Sequence, residues 1–182
     1  ILCLDNISDP GNLGSIIRLC DWFNVKSILC SNNTVDCYNP KVIQSSMGSI
    51  SRVSCHYFNI LDILKKSDRK IYGAFLDNSN SIYSTDFDKN SIIVIGSESN
   101  GISSDISKFI ENRITIPRYN NSRYPESLNI NSAVSIILSE FFKGNSSELI
   151  SCRFSLPFKS NLKLLILKIF SKIGFLFRIF FR

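Results

Sequence analysis

Apolar residues follow two rhythms along this chain. Runs of strand length recur at residues 1–4, 26–30, 52–58, 70–76, 91–95 and 113–116. Most are rich in β-branched or aromatic residues and lack a helical period, so each predicts a strand. Between them the spacing changes. Leu13, Ile16, Ile17 and Cys20 follow i, i+3, i+4, i+7, and Ile60, Ile63 and Leu64 repeat this in shorter form. Ala133, Ile136, Ile137 and Phe141 mark a third helix, with Asn129 or Asn131 placed to cap it. Strands alternating with helices predict an α/β fold: a mostly parallel sheet with helices on both faces. The Ser/Asn/Asp-rich segments 77–81 and 119–124 read as loops.

Length and composition narrow the class. A chain of 182 residues, 44% hydrophobic and 20% charged, suits one globular domain with an appendage. We set the domain at residues 1–145 and a basic, apolar C-terminal extension at 146–182. The net charge of +6 belongs to that extension. Residues 1–150 hold 14 of the 21 cations and all 15 acids, so the domain itself is close to neutral and its charge is no sign of a polyanion ligand. The chain starts at Ile1, on an apolar run without initiator Met or signal peptide, and reads as a domain cut from a longer protein or an incomplete N-terminus.

Six cysteines (Cys3, Cys20, Cys30, Cys37, Cys55, Cys152) form no CxxC, and several sit inside apolar runs. They are expected to be buried free thiols of a reducing, cytoplasmic compartment. With a single histidine, His56, no Cys/His cluster is available, and no metal site is expected.

Candidate chemistry lies where apolar runs end. The first segment reads Asp5-Asn6-Ile7-Ser8-Asp9-Pro10-Gly11-Asn12-Leu13-Gly14-Ser15-Ile16-Ile17-Arg18. Pro10 fixes the backbone, Gly11 and Gly14 permit close approach, and Asn6 and Asn12 supply hydrogen-bonding groups. Gly14 and Arg18 are i, i+4 neighbours, so the missing side chain is expected to clear space over the guanidinium. The plain alternative is a capped helix with a solvated arginine. A GxG could cradle phosphate, but neither GxGxxG nor a Walker lysine follows. The second segment, Gly96-Ser97-Glu98-Ser99-Asn100-Gly101, continues the apolar run 92–95; alone it is a strand and turn with two glycines. The third, Glu126-Ser127-Leu128-Asn129, follows Ile116-Pro117 and alone would be a helix cap.

In this order the three segments resemble the motifs of the SpoU (TrmH-like) branch of SPOUT RNA methyltransferases: Asn-x-x-Asp-Pro-x-Asn-x-Gly-x-x-x-Arg, then Gly-x-Glu-x-x-Gly, then Ile-Pro…Ser-Leu-Asn. The resemblance spans residues 1–143. It implies an α/β domain whose C-terminal part is threaded into a trefoil knot, S-adenosylmethionine bound in a bent form by the knotted loops, and an active site completed across a homodimer. It also implies RNA (tRNA or rRNA) as substrate, methylated on a ribose 2′-hydroxyl. By resemblance Gly96, Ile116, Leu128 and Gly101 bind the cofactor, Arg18 is the catalytic arginine, and Asn12, Glu98, Ser127 and Asn129 complete the active site. A 2′-hydroxyl is a poor nucleophile until its proton leaves or its oxygen is held in line. Arginine is normally too basic to take that proton, so an electrostatic clamp assisted by RNA phosphate is preferred to a base with suppressed charge.

Two stretches depart from the family pattern or lie beyond it. The link after Ile-Pro is lengthened through 118–125 and carries Arg118, Tyr119, Arg123 and Tyr124. Residues 161–182 are apolar with cations recurring throughout, which describes a cationic amphipathic helix rather than a membrane span. It could meet RNA phosphates, a partner or a membrane surface, and it leaves membrane association open. The rival readings are a catalytically inactive RNA-binding relative with the same fold and a membrane-surface protein.

Overall fold

The computed structural model describes residues 1–76, 79–119 and 127–143. Seven parallel strands run through them: β1 (Leu2–Leu4), β2 (Ser27–Ser31), β3 (Ser54–Phe58), β4 (Ile71–Ala74), β5 (Asn80–Ser81), β6 (Ile92–Ile95) and β7 (Asn112–Thr115). Their order in the sheet is β3-β2-β1-β6-β4-β7-β5. Five helices join them: α1 (Pro10–Trp22), α2 (Pro40–Ser46), α3 (Ile60–Lys65), α4 (Ser104–Ser107) and α5 (Ile130–Phe141).

The pleat divides the apolar strand residues between two cores. Leu2, Leu4, Ile93 and Ile95 face α1, α2 and α5, packing with Leu13, Ile17, Val42, Val134 and Ile137. Cys3, Ile92 and Val94 face the other way, toward Ile60 and Leu64 of α3 and Ile106 of α4. Helices therefore cover both faces, as the alternating pattern predicts.

Caps explain where the helices begin. Asp9 accepts a hydrogen bond from the Asn12 amide and Pro10 follows it, so α1 starts with its first N–H groups provided for. Asn39 and Pro40 do the same for α2. At α5 the cap is Asn129, whose Oδ1 accepts from the Asn131 amide, which settles the choice between the two asparagines.

Three expectations need correction. Segment 77–81 is not wholly loop, because Asn80 and Ser81 pair with Ile114 and Thr115 of β7; residues 77–78 lie outside the described ones. Helices α2 and α4 appear where no periodicity was recognised. Gly14 does not clear space for Arg18: a Cβ there would lie 1.9 Å from Ser45 Oγ and 2.6 Å from the Val42 carbonyl oxygen, so its bareness lets α2 seat on α1. Cys3, Cys20, Cys30 and Cys37 are buried free thiols and Cys55 a half-buried one; burial pushes the Cys3 thiol up to about 12. Cys152, residues 120–125 of the lengthened link, the domain boundary at 145 and the amphipathic tail all lie outside the described residues.

Candidate active site

In a parallel sheet, binding crevices open beyond the carboxyl ends of the strands, where successive connections leave for opposite faces. Here that place is between β1 and β6. The chain leaves β1 for α1 on one face and leaves β6 for α4 on the other. The first two motifs are these two exits.

At the β1 exit the Asp5 amide donates to the Ile95 carbonyl at 2.8 Å, so the two strands end side by side. Asn6 then takes a left-handed conformation (φ 58°) and its amide donates to Ser31 Oγ at 2.9 Å. At the β6 exit, Ser97 and Gly101 exchange backbone hydrogen bonds of 3.1 and 2.9 Å, closing a tight hairpin. Gly101 has φ +64°, and a Cβ on Gly96 would stand 2.0 Å from the Gly101 carbonyl carbon. Both glycines are thus required by the hairpin itself.

The hairpin tip meets the start of α5. Glu98 Oε1 accepts from the Ile130 amide and from Asn129 Nδ2, both at 3.1 Å. A carboxylate beside unpaired N–H groups at a helix start is stabilising by roughly 0.3–1 kcal/mol. One residue further on, Asn131 Nδ2 donates to Asn12 Oδ1 at 2.8 Å. Three segments distant in sequence are therefore joined through Asn12, Glu98 and residues 129–131.

Arg18 stands apart from this junction. It is exposed on α1 and makes no hydrogen bond or ion pair with the described residues. It lines an open groove of about 1040 Å³ with Ser15, Trp22, Met47, Asn131 and Ser135. Asn131 thus belongs to both places, one amide atom on Asn12 and its flank on the arginine groove. Among the described residues no group of three His, Cys, Asp or Glu side chains is placed to hold a metal ion.

The model of the SpoU rRNA Methylase family matches residues 1–139. The chain belongs to that family. Among SpoU-like proteins it is 27% identical over 141 residues to the Bacillus subtilis 23S rRNA (guanosine(2553)-2'-O)-methyltransferase RlmP, covering 76% of this chain and 56% of that one. A putative RNA methyltransferase of the TrmH family from Porphyromonas gingivalis is 38% identical with a TM-score of 0.71, covering 77% of this chain and 57% of that one. The SpoU methyltransferase AviRb from Streptomyces viridochromogenes, solved in complex with AdoMet, shares the fold at a TM-score of 0.72 and 24% identity, covering 81% of this chain and 60% of that one. The chain spans about half the length of the curated relatives it matches first, 56% of one and 51% of the next.

Set against the SpoU motifs, the structure brings Asn12, Glu98 and Asn129 together and leaves Arg18 in the neighbouring groove. Ser127 is exposed on the approach to α5. Of the residues expected at the cofactor, Gly96 and Gly101 shape the hairpin, Ile116 packs half-buried past β7, and Leu128 is 45% exposed before α5. Two residues at these places carry no site role in the sequence reading. Asn131 reads there only as a cap, although its place two residues after Asn129 puts it on the same helix start. Asp5 was quoted in the first motif without a role, yet it is buried at 2% exposure between the two strand exits.

Proposed function

We propose that this chain is the catalytic domain of an S-adenosylmethionine-dependent RNA methyltransferase that methylates a ribose 2′-hydroxyl of tRNA or rRNA. It acts in the cytoplasm as a homodimer, with the trefoil knot that the SpoU resemblance implies. The observation that carries this reading is the junction of Asn12, Glu98 and residues 129–131, with Arg18 in the neighbouring groove and unpaired among the described residues.

The residues at the crevice fit the cofactor. Gly96 lets the hairpin close, Gly101 has open space where a Cβ would stand, and Leu128 offers an exposed apolar surface. When bound, the cofactor supplies an activated methyl group on a positively charged sulfur, so no metal is needed to polarise the donor. The chain supplies placement and charge. Glu98 pins the hairpin to α5, and Asn131 orients the Asn12 amide by occupying its oxygen, which leaves the Asn12 NH₂ as a donor for an incoming oxygen. Arg18, flexible and unpaired among the described residues, is suited to clamp RNA phosphate and to stabilise charge developing on the 2′-oxygen.

A second copy is supported by the groove. Trp22 is 83% and Met47 70% exposed there, beside Leu19, Phe23 and Ile136, and apolar exposure of this kind marks interaction surfaces. The buried free thiols support a reducing compartment.

Calorimetric titration with S-adenosylmethionine and S-adenosylhomocysteine tests the reading, run on wild type and Arg18→Ala. We expect saturable binding near one per protomer in both, with methyl transfer to RNA lost only in the variant. A folded, dimeric wild type that binds neither compound would replace the enzyme by an RNA-binding relative without activity.

A further inference from the structure

Asp5 is a buried carboxylate that none of the ion pairs described uses; those join Arg52 to Asp21, Lys108 to Asp105 and Lys143 to Glu140. Removing a carboxylate from water is costly unless its oxygens are well provided for. Each Asp5 oxygen has one donor. Oδ1 accepts from Asn6 Nδ2 at 2.9 Å, and Oδ2 accepts from the Ser103 amide at 2.7 Å, across 98 residues of chain. The Ser103 bond is short, in the range of charge-assisted hydrogen bonds.

Its position explains the choice of residue. The hairpin 97–101 is closed internally by its own backbone bonds, but those bonds do not orient it on the sheet. Its tip is fastened to α5 by Glu98, and its return strand is fastened to the β1 exit by Asp5 through Ser103. An asparagine at residue 5 could still accept from the Ser103 amide and, with the Asn6 side-chain amide turned over, donate to Asn6 Oδ1. What it lacks is the negative charge that strengthens the bond across to Ser103.

We propose that Asp5 is a positioning residue for cofactor binding: its carboxylate locks the second-motif hairpin to the exit of the first motif and so fixes where the hairpin backbone stands over the strand ends. This rests on the cofactor reading above. Asp5 acts through Ser103 and touches no substrate.

The test titrates the whole chain with S-adenosylhomocysteine. Asp5→Asn keeps the shape and removes the charge. Ser103→Pro removes the donor from the other side, at a residue whose φ of −58° already suits proline. Ile28→Ala is the control, a fully buried residue paired with Leu2 at the opposite end of the strands. We expect each of the first two to weaken binding about tenfold, and the double variant to lose no more than the worse single one. Ile28→Ala is expected to lower the melting temperature at least as much while keeping wild-type affinity. Wild-type affinity in Asp5→Asn or Ser103→Pro, independent losses that multiply in the double variant, or an equal loss in Ile28→Ala would each overturn the proposal. No binding by folded wild type would instead refute the cofactor reading, and this inference with it.

Discussion

Gly14 and Gly96 show how much a single absent side chain can decide. Gly14→Ala forces a methyl group into Ser45 and the Val42 carbonyl, and only the serine hydroxyl can rotate away. Overpacking of this kind costs about 1–3 kcal/mol, which urea denaturation would report as a lower midpoint at unchanged slope. At Gly96 the obstruction is backbone on every side, so Gly96→Ala should prevent hairpin closure and abolish S-adenosylmethionine binding in a calorimeter while the sheet still folds by circular dichroism. The sequence shows that these glycines sit in motifs, and it shows the i, i+4 relation of Gly14 to Arg18. It does not show which element approaches them. That is why the i, i+4 relation points Gly14 to the arginine when its neighbour is α2, and why Asp5, a lone acid at a strand end, shows no partner in the sequence although Ser103 stands opposite it.

Elements were legible in proportion to the apolar residues they carry. Six of the seven strands stand where apolar runs predict them; β1, β2, β4 and β6 are buried on both faces, whereas the edge strand β3 is only half-buried and is legible from its own Cys-His-Tyr-Phe run. β5 escaped because Asn80 and Ser81 are polar and owe their extended form to β7 alone. α2 escaped because it buries Val42 and Ser46 yet exposes Ile43, too few positions for a period, although Asn39-Pro40 before it and Gly48 after it are usable start and stop signals. The turn at Ser49–Ser51 is tied to α1 by Arg52, whose Nε donates to Asp21 at 2.8 Å. That bond, reinforced by Ser49, holds the Asp21 carboxyl below its usual value. A lowered folded value means stability present above the ordinary carboxylate range, about 4, and lost as pH falls through the folded value. Arg52→Met should therefore lower the melting temperature at pH 7 and lose that effect progressively toward pH 3 in a calorimetric series. The clasp on the loop before α2 is separate: Tyr57 donates to the Val35 carbonyl and accepts from the Cys37 amide, both at 2.7 Å. Tyr57→Phe leaves both groups short of a partner and should cost about 1–3 kcal/mol by denaturant titration.

For the whole molecule, the α/β class and two-sided covering were readable, because alternating rhythms dictate them. The strand order was not, since no local pattern tells β6 to lie beside β1 or places α5 against α1. The apolar side of the arginine groove carries the prediction at this scale. Trp22→Glu should convert the proposed dimer to a monomer by light scattering and remove methyl transfer, leaving cofactor binding in place; a dimer that survives the change would put the subunit contact elsewhere. The long-range ties at the junction also bear on how the molecule is made. Asn12 meets Asn131 across 119 residues, and Glu98 is fastened to a helix that begins at Ile130. Contacts so distant form only after the intervening chain is ordered, and synthesis runs from the amino end at about 5–20 residues per second. A growing chain arrested between residues 102 and 129 carries both strand exits and their glycines, yet has nothing for Glu98 or Asn12 to grip. Competence should accordingly switch on late and abruptly during translation, so that ribosome-bound fragments of increasing length remain unable to retain S-adenosylhomocysteine until the first turn of α5 has emerged.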